Sequence, residues 1–104
     1  IYFDFDKYSL TDVSSNSIKK FIEENKNKID TFLVVGHTDT KGTKKYNLEL
    51  SLKRAETVKT ILIRLGISSE KIKILGEGEN KLLVQTEDET KHPANRRAEI
   101  SPSD

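Results

Sequence analysis

The chain has no cysteine, methionine or tryptophan among its 104 residues, and only two prolines. Without cysteine there is no disulfide framework, no thiolate metal site and no thiol nucleophile, so packing must hold the fold together. That absence does not locate the protein, because every compartment tolerates it. No apolar run exceeds a few residues, far short of the roughly 20 that a bilayer-spanning helix needs. No sign of charge dominates either. Lys+Arg 18 against Asp+Glu 17 leaves a formal net charge of +1. These charges are interspersed, whereas a nucleic-acid footprint requires a concentrated basic face. No internal repeat or low-complexity segment is visible.

A hydrophobic fraction of 34% and a charged fraction of 34% describe one domain, residues 1–104, with a single lean core. The chain opens on Ile1, already in a strand-like pattern, rather than on Met. It therefore reads as an excised or processed domain whose targeting segment, if any, has been removed.

Ile1-Tyr2-Phe3-Asp4-Phe5 alternates strictly, with Ile1, Phe3 and Phe5 on one face, which predicts a half-buried strand. Thr11 or Asp12 can cap a helix whose apolar stripe is Ile18, Phe21 and Ile22, with Val13 as an extension. Phe32-Leu33-Val34-Val35 is too short for a helix and reads as a central strand covered on both faces. Thr38 to Lys44 holds Gly42 and no large apolar residue, so it is a loop. From Lys45 to Leu65, the residues Leu48, Leu52, Ala55, Val58, Leu62 and Leu65 recur at spacings of three and four. They predict an amphipathic helix that Gly66 stops. Ile72-Lys73-Ile74 reads as a short strand turning at Gly76-Glu77-Gly78-Glu79, and residues 80–95 as an irregular loop. Arg96-Arg97-Ala98-Glu99-Ile100 alternates as a last strand that Pro102 ends, joining antiparallel after the loop.

Asp39 falls just past a buried strand, where open α/β sheets expose ligand-contacting groups. On the following helix, Asn47, Leu50 and Arg54 lie within roughly 60° of one another, apart from the leucine stripe. Two readings stand side by side. Asp39 and Arg54 face one cavity and hold a ligand of both charges, or Asp39 caps a turn while Arg54 makes an ordinary surface ion pair. Other constellations are weaker. His37 and Asp39 could share a metal, but a third ligand is missing, and a hydrogen-bonding role for His37 is the simpler reading. No serine has a nucleophile-elbow context. Gly76-Glu77-Gly78-Glu79 lacks the Lys-Ser/Thr of a phosphate loop. These features favour neither an enzyme nor a bound metal or cofactor. Alternation sends one of Arg96 and Arg97 toward a site and its neighbour to the other face. The acidic run Glu87-Asp88-Glu89 reads as a solvated loop.

The stretch Gly36-His37-Thr38-Asp39, with Gly42, Tyr46-Asn47, Leu50-Ser51 and Arg54-Ala55, resembles the OmpA-like peptidoglycan-binding domain. The opening strand ending Phe5-Asp6, then Gly76, Gly78-Glu79 and Asn95-Arg96-Arg97, extend the resemblance over nearly the whole chain. It implies an α/β (α+β) fold, a β-α-β-α-β-β two-layer sandwich with two main helices packed on a mixed sheet. It also implies noncovalent, non-enzymatic binding of the meso-diaminopimelate in the peptide stem of peptidoglycan. In that reading Asp39 holds the ligand's ammonium and Arg54 its carboxylate, while Asp6, Asn47, Leu50 and Arg97 line the same pocket. The implied setting is the periplasm of a Gram-negative bacterium, at the outer membrane or cell envelope. The parent protein would be membrane-anchored through a segment absent from these residues, with peptidoglycan and other envelope proteins as partners. A protein-interaction or scaffold domain is the alternative. Leu82-Leu83-Val84 stands where many members carry a proline, so the loop from Asn80 to Pro93 is expected to differ at the rim while leaving the inner pocket unaffected.

Overall fold

The computed structural model describes residues 1–4 and 6–103. Helix α1 (Asp12–Asn25) and strand β1 (Phe32–Gly36) are followed by helix α2 (Lys44–Arg64), strand β2 (Ile72–Gly76) and strand β3 (Ala98–Pro102). The sheet runs β2-β1-β3, with β1 parallel to β2 and antiparallel to β3. This is the mixed, two-helix α+β arrangement expected. The opening segment is slighter than its alternation predicts. It forms one antiparallel bridge, Tyr2 to Arg97, and its Phe5 lies outside the described residues. Its alternation still orients the side chains, with Phe3 buried and Tyr2 and Asp4 exposed.

Local chemistry explains the helix bounds. Thr11 caps α1 by accepting from the Ser14 amide, and Thr43 caps α2 by accepting from Tyr46. Gly66, at φ +98°, takes the left-handed conformation that ends α2 without a Cβ clash. Ile18 and Ile22 of α1 pack with Ala55, Val58 and Leu62 of α2 against Phe32, Val34 and Ile72 of the sheet, and Phe3 completes the cluster. Val13, expected on the stripe, is instead 75% exposed at the first turn of α1.

Two expectations about burial are corrected. Strand β1 is central, but only its Phe32 and Val34 face is fully covered. Leu33 and Val35 are half-buried on the other side, since the helices form a single layer. In α2 the predicted apolar seam holds only in its second half. Leu48 and Leu52 are exposed, and Asn47, Leu50, Ser51 and Arg54 are buried in their place.

The cause lies in the sheet. Gly76, Gly36 and Ala98 stand in register across its three strands. With no side chain at either glycine, the α2 backbone settles directly on the sheet. A Cβ at Gly36 would lie 1.7 Å from the Ser51 carbonyl oxygen, and one at Gly76 2.9 Å from the Leu52 nitrogen. The Ser51 hydroxyl accepts from the Gly78 amide at 2.9 Å, fastening the turn after β2 to the same helix. This close approach brings the polar seam of α2 to the carboxyl ends of β1 and β2.

Candidate functional site

At those strand ends lies a cavity of about 270 Å³. Its walls are Thr38, Asp39, Lys41 and Gly42 from the β1–α2 loop, Tyr46, Asn47, Leu50 and Arg54 from α2, and Asp6, Glu89 and Arg96. Five of the six residues expected at a site, Asp6, Asp39, Asn47, Leu50 and Arg54, are therefore brought together around one space.

Arg97 is not among them; its neighbour Arg96 is. The β3 register explains the exchange. Ala98 pairs with Gly36 on the helix-facing side, so Arg96, two residues back, points the same way. Arg97 falls on the opposite face, where its Nε donates to Glu99 Oε2 at 2.5 Å and its Nη2 to the Lys81 carbonyl at 3.1 Å. Ala98 and Ile100 share parity with Arg96, and this apolar face was a readable signal for the cavity-facing arginine.

Arg54 is only 1% exposed and is far from a surface ion pair. Its Nε donates to the Lys7 carbonyl at 2.9 Å, Nη1 to His37 at 2.9 Å and Nη2 to Asp4 at 3.2 Å. The guanidinium also lies over the Phe3 ring, 5.2 Å from its centroid. It thereby ties the turn through Asp4 and Lys7 to the end of β1. A guanidinium carries five N–H groups, so hydrogens remain beyond these three bonds. Burial lowers its pKa to about 10, with Asp39 pulling the other way. It stays cationic at neutral pH.

Asp39 is buried and held from three sides. Its Oδ1 accepts from the Lys41 amide at 3.2 Å, and its Oδ2 from the His92 amide at 3.2 Å and from Arg96 Nη1 at 3.4 Å. Its own carbonyl accepts from Asn47 Nδ2 and from the Thr38 hydroxyl. The turn-capping reading of Asp39 is thus correct as far as Lys41, and the same side chain also borders the cavity. Its ion-pair partner is Arg96 rather than Arg54.

The long loop enters more deeply than a rim. Besides the His92 amide it contributes Glu89, which pairs with Lys41 at 3.3 Å and accepts from the Gly42 amide at 3.4 Å. Glu89 is therefore not simply part of a solvated acidic run. The Thr40 hydroxyl, donating to the Glu87 carbonyl and accepting from the Thr90 amide, staples this loop to the site. The Asn95 side chain both accepts from and donates to the Val84 backbone, fixing the loop's far end. Lys41 and Glu89 carry no periodicity that could have marked them. Tyr46, whose hydroxyl donates to Asp6 Oδ1, stands in the motif-bearing stretch but had no assigned role. That carboxylate raises the Tyr46 pKa by stabilising the protonated phenol. The cavity wall thus shows Asp6, Asp39 and Glu89 against Lys41, Arg54 and Arg96.

His37 faces away from the cavity, 3.7 Å from Glu99, and neither ring nitrogen has a hydrogen-bond partner among the described residues. The expected hydrogen-bonding role belongs to its backbone, whose N–H donates to Arg97 and whose carbonyl accepts from Arg54. His92, the other imidazole, accepts from the Ala94 amide and caps a single 3₁₀ turn. Burial, then Arg97, lower the His37 pKa, while Glu99 and Glu77 pull it upward. Because the folded value lies below the unfolded one, stability is full above about pH 6.5 and falls as His37 is forced to charge on acidification. The thermal midpoint of wild type should drop between pH 7.5 and 5.5. In His37→Leu the drop should be visibly smaller; an identical drop would assign it to other groups.

The OmpA family model matches residues 2–96. A peptidoglycan-associated lipoprotein of Buchnera aphidicola is 32% identical over 103 residues, covering 96% of this chain and 58% of its own length. The chain thus spans only part of that relative. Among solved structures, the peptidoglycan-associated lipoprotein from Burkholderia pseudomallei superposes with a TM-score of 0.85 at 35% identity, covering 96% of this chain and 86% of that one. The C-terminal domain of Helicobacter pylori MotB superposes at 0.79 with 21% identity, covering 97% and 82% respectively, a likeness of fold. A family match along almost the whole chain, relatives above 30% identity and a shared architecture agree: the chain belongs to the OmpA family.

Proposed function

We propose that this chain anchors the protein carrying it to the cell wall by holding the meso-diaminopimelate residue of the peptidoglycan stem. The observation that carries the reading is a cavity whose wall includes both buried Asp39 and buried Arg54, without a direct ion pair between them. A diaminopimelate side chain ends in an ammonium and a carboxylate, which those two groups complement. Asp39 takes the ammonium. Arg54 takes the carboxylate through the N–H groups left by its three carbonyl bonds, and a planar fork suits a carboxylate better than a lysine does. Asp6, Asn47 and Leu50 form the walls, and Arg96 takes the place expected for Arg97.

The names of the relatives above support the same polymer. The corresponding location is the periplasmic side of a Gram-negative outer membrane, with the membrane anchor lying in another part of the parent protein. The module holds its ligand without turning it over. One zwitterion gripped by charge gives modest affinity, and firm anchoring comes from many copies engaging one continuous polymer.

Sedimentation with purified sacculi tests this. Wild type should pellet with the sacculi and be released by free meso-diaminopimelate. Asp39→Asn, which keeps an acceptor for the Lys41 amide but loses the one shared by the His92 amide and Arg96, should stay in the supernatant, with retention of its fold checked by circular dichroism. Wild type left in the supernatant would overturn the proposal.

A further inference from the structure

The cavity opens onto a groove that the ligand assignment leaves unused. A small hollow lined by Tyr8, Glu49 and Lys53 shares Asp6, Tyr46 and Leu50 with the cavity. Tyr8 and Lys53 continue into a second hollow with Glu56, Thr57 and Thr60, and Tyr8, Thr57 and Thr60 into a third that ends at Arg64. Positions 46, 50, 53, 57, 60 and 64 recur at spacings of three and four, so one stripe of α2 forms the whole floor. From Tyr46 to Thr60 that stripe is about 21 Å long at 1.5 Å per residue, room for about six extended residues or a few sugars.

Elsewhere on the cavity wall, Glu89 pairs with Lys41 and accepts from the Gly42 amide, drawing the long loop against the β1–α2 loop. Between the cavity and the groove, the Asp6–Tyr46 hydrogen bond joins two exposed side chains as a bar. Beyond that bar, Tyr8 is half-exposed, and Lys53 Nζ sits 5.3 Å from its ring centroid. The Thr57 hydroxyl donates to the Tyr8 carbonyl at 2.6 Å, so the wall that carries the tyrosine is pinned to the helix.

We infer that the groove is a second subsite, for the part of the same polymer that continues from the residue in the cavity; this rests on the wall-binding reading above. The polymer leaves the cavity across Asp6 and Tyr46 and runs along α2. Tyr8 offers an aromatic edge to sugar or peptide, and Lys53 a cation to a stem carboxylate. Glu49 and Glu56 also line the groove, which therefore suits a chain with scattered rather than uniform negative charge.

The test compares free meso-diaminopimelate with a disaccharide-tetrapeptide muropeptide carrying it, by calorimetric titration of wild type, Lys53→Gln and Tyr8→Ala. Lys53 is exposed, so its variant is expected to fold. Wild type should bind the muropeptide more tightly than the free amino acid. Lys53→Gln should bind the muropeptide about threefold to fivefold more weakly, the scale of one exposed ion pair, with the deficit shrinking at high salt. Tyr8→Ala should weaken the muropeptide likewise, and both variants should bind diaminopimelate as wild type does. Equal wild-type affinity for the two ligands, or variants indistinguishable from wild type toward the muropeptide, would overturn the subsite and leave the cavity assignment standing. A variant weakened equally toward both ligands would also remove it, assigning that residue to the cavity. Wild type that binds neither ligand would overturn both proposals together.

Discussion

Arg54→Ala is expected to destabilise the fold by about 3–5 kcal/mol, measured as a lowered urea midpoint, before any question of binding arises. The substitution strips donors from the carbonyls of Lys7, His37 and Asp4. The buried His37 carbonyl is left unsatisfied at a cost of about 1–3 kcal/mol. The turn from Asp4 to Lys7, though its carbonyls reach solvent or the Lys7 amide, loses its tie to β1. The side chain is also among the largest fully buried ones, so its removal leaves a void under Phe3. Arg54→Lys should recover little, because one ammonium cannot reach three carbonyls that a planar fork spans. A midpoint unchanged by Arg54→Ala would show that these bonds contribute nothing. Loss of wall binding in this variant therefore cannot be read as loss of a ligand contact; Asp39 is the cleaner probe.

Gly36→Ala is expected to cost about 3 kcal/mol or more, because a methyl group 1.7 Å from the Ser51 carbonyl oxygen cannot be accommodated without lifting α2 off the sheet. The obstacle is helix backbone rather than the end of a flexible side chain. The displacement would also carry Asn47, Leu50 and Arg54 out of the cavity wall, so stability and ligand affinity should fall together. Gly66→Ala is the useful contrast. Nothing lies within 4 Å of its would-be Cβ, and only the strain of a positive φ is felt. If Gly36→Ala melted like wild type, the close approach of helix and sheet would not be what builds the site.

Those two substitutions also mark where the sequence was legible. Caps, glycine stops and apolar periodicity report local preference, so both helices, the central strand and the antiparallel close of the sheet were all readable. The buried seam of α2 was not. Periodicity counts apolar residues, and it took Leu48 and Leu52 as core, whereas the positions that face inward there are Asn47, Ser51 and Arg54. Polar residues satisfied by loop carbonyls leave no mark in a hydrophobic pattern. Parity could have separated Arg96 from Arg97, since Ala98 and Ile100 declare the inner face. The loop's contribution could not have been found this way. The His92 amide that binds Asp39, and the Glu89 that binds Lys41 and the Gly42 amide, arrive from a loop about fifty residues away whose path depends on the Thr40 and Asn95 bonds.

The structure also shows why the two charges of the proposed clamp remain distinct. Arg54 spends its bonds on backbone carbonyls and Asp39 pairs with Arg96, so neither neutralises the other directly. Both stay pre-positioned at the cavity, and a ligand does not have to pull them apart. Pre-organisation of that kind reduces the ordering cost of binding.

That claim is tested most directly by titrating wild type with meso-diaminopimelate, pimelate and cadaverine, followed by amide chemical shifts. The three share a carbon chain but carry both charges, only carboxylates and only ammoniums respectively. If the cavity reads a zwitterion, diaminopimelate alone should shift the amides of Asp39, Asn47 and Lys41 saturably, and pimelate and cadaverine should produce shifts at least tenfold weaker in affinity. Pimelate or cadaverine binding as well as diaminopimelate, or shifts centred elsewhere, would contradict it.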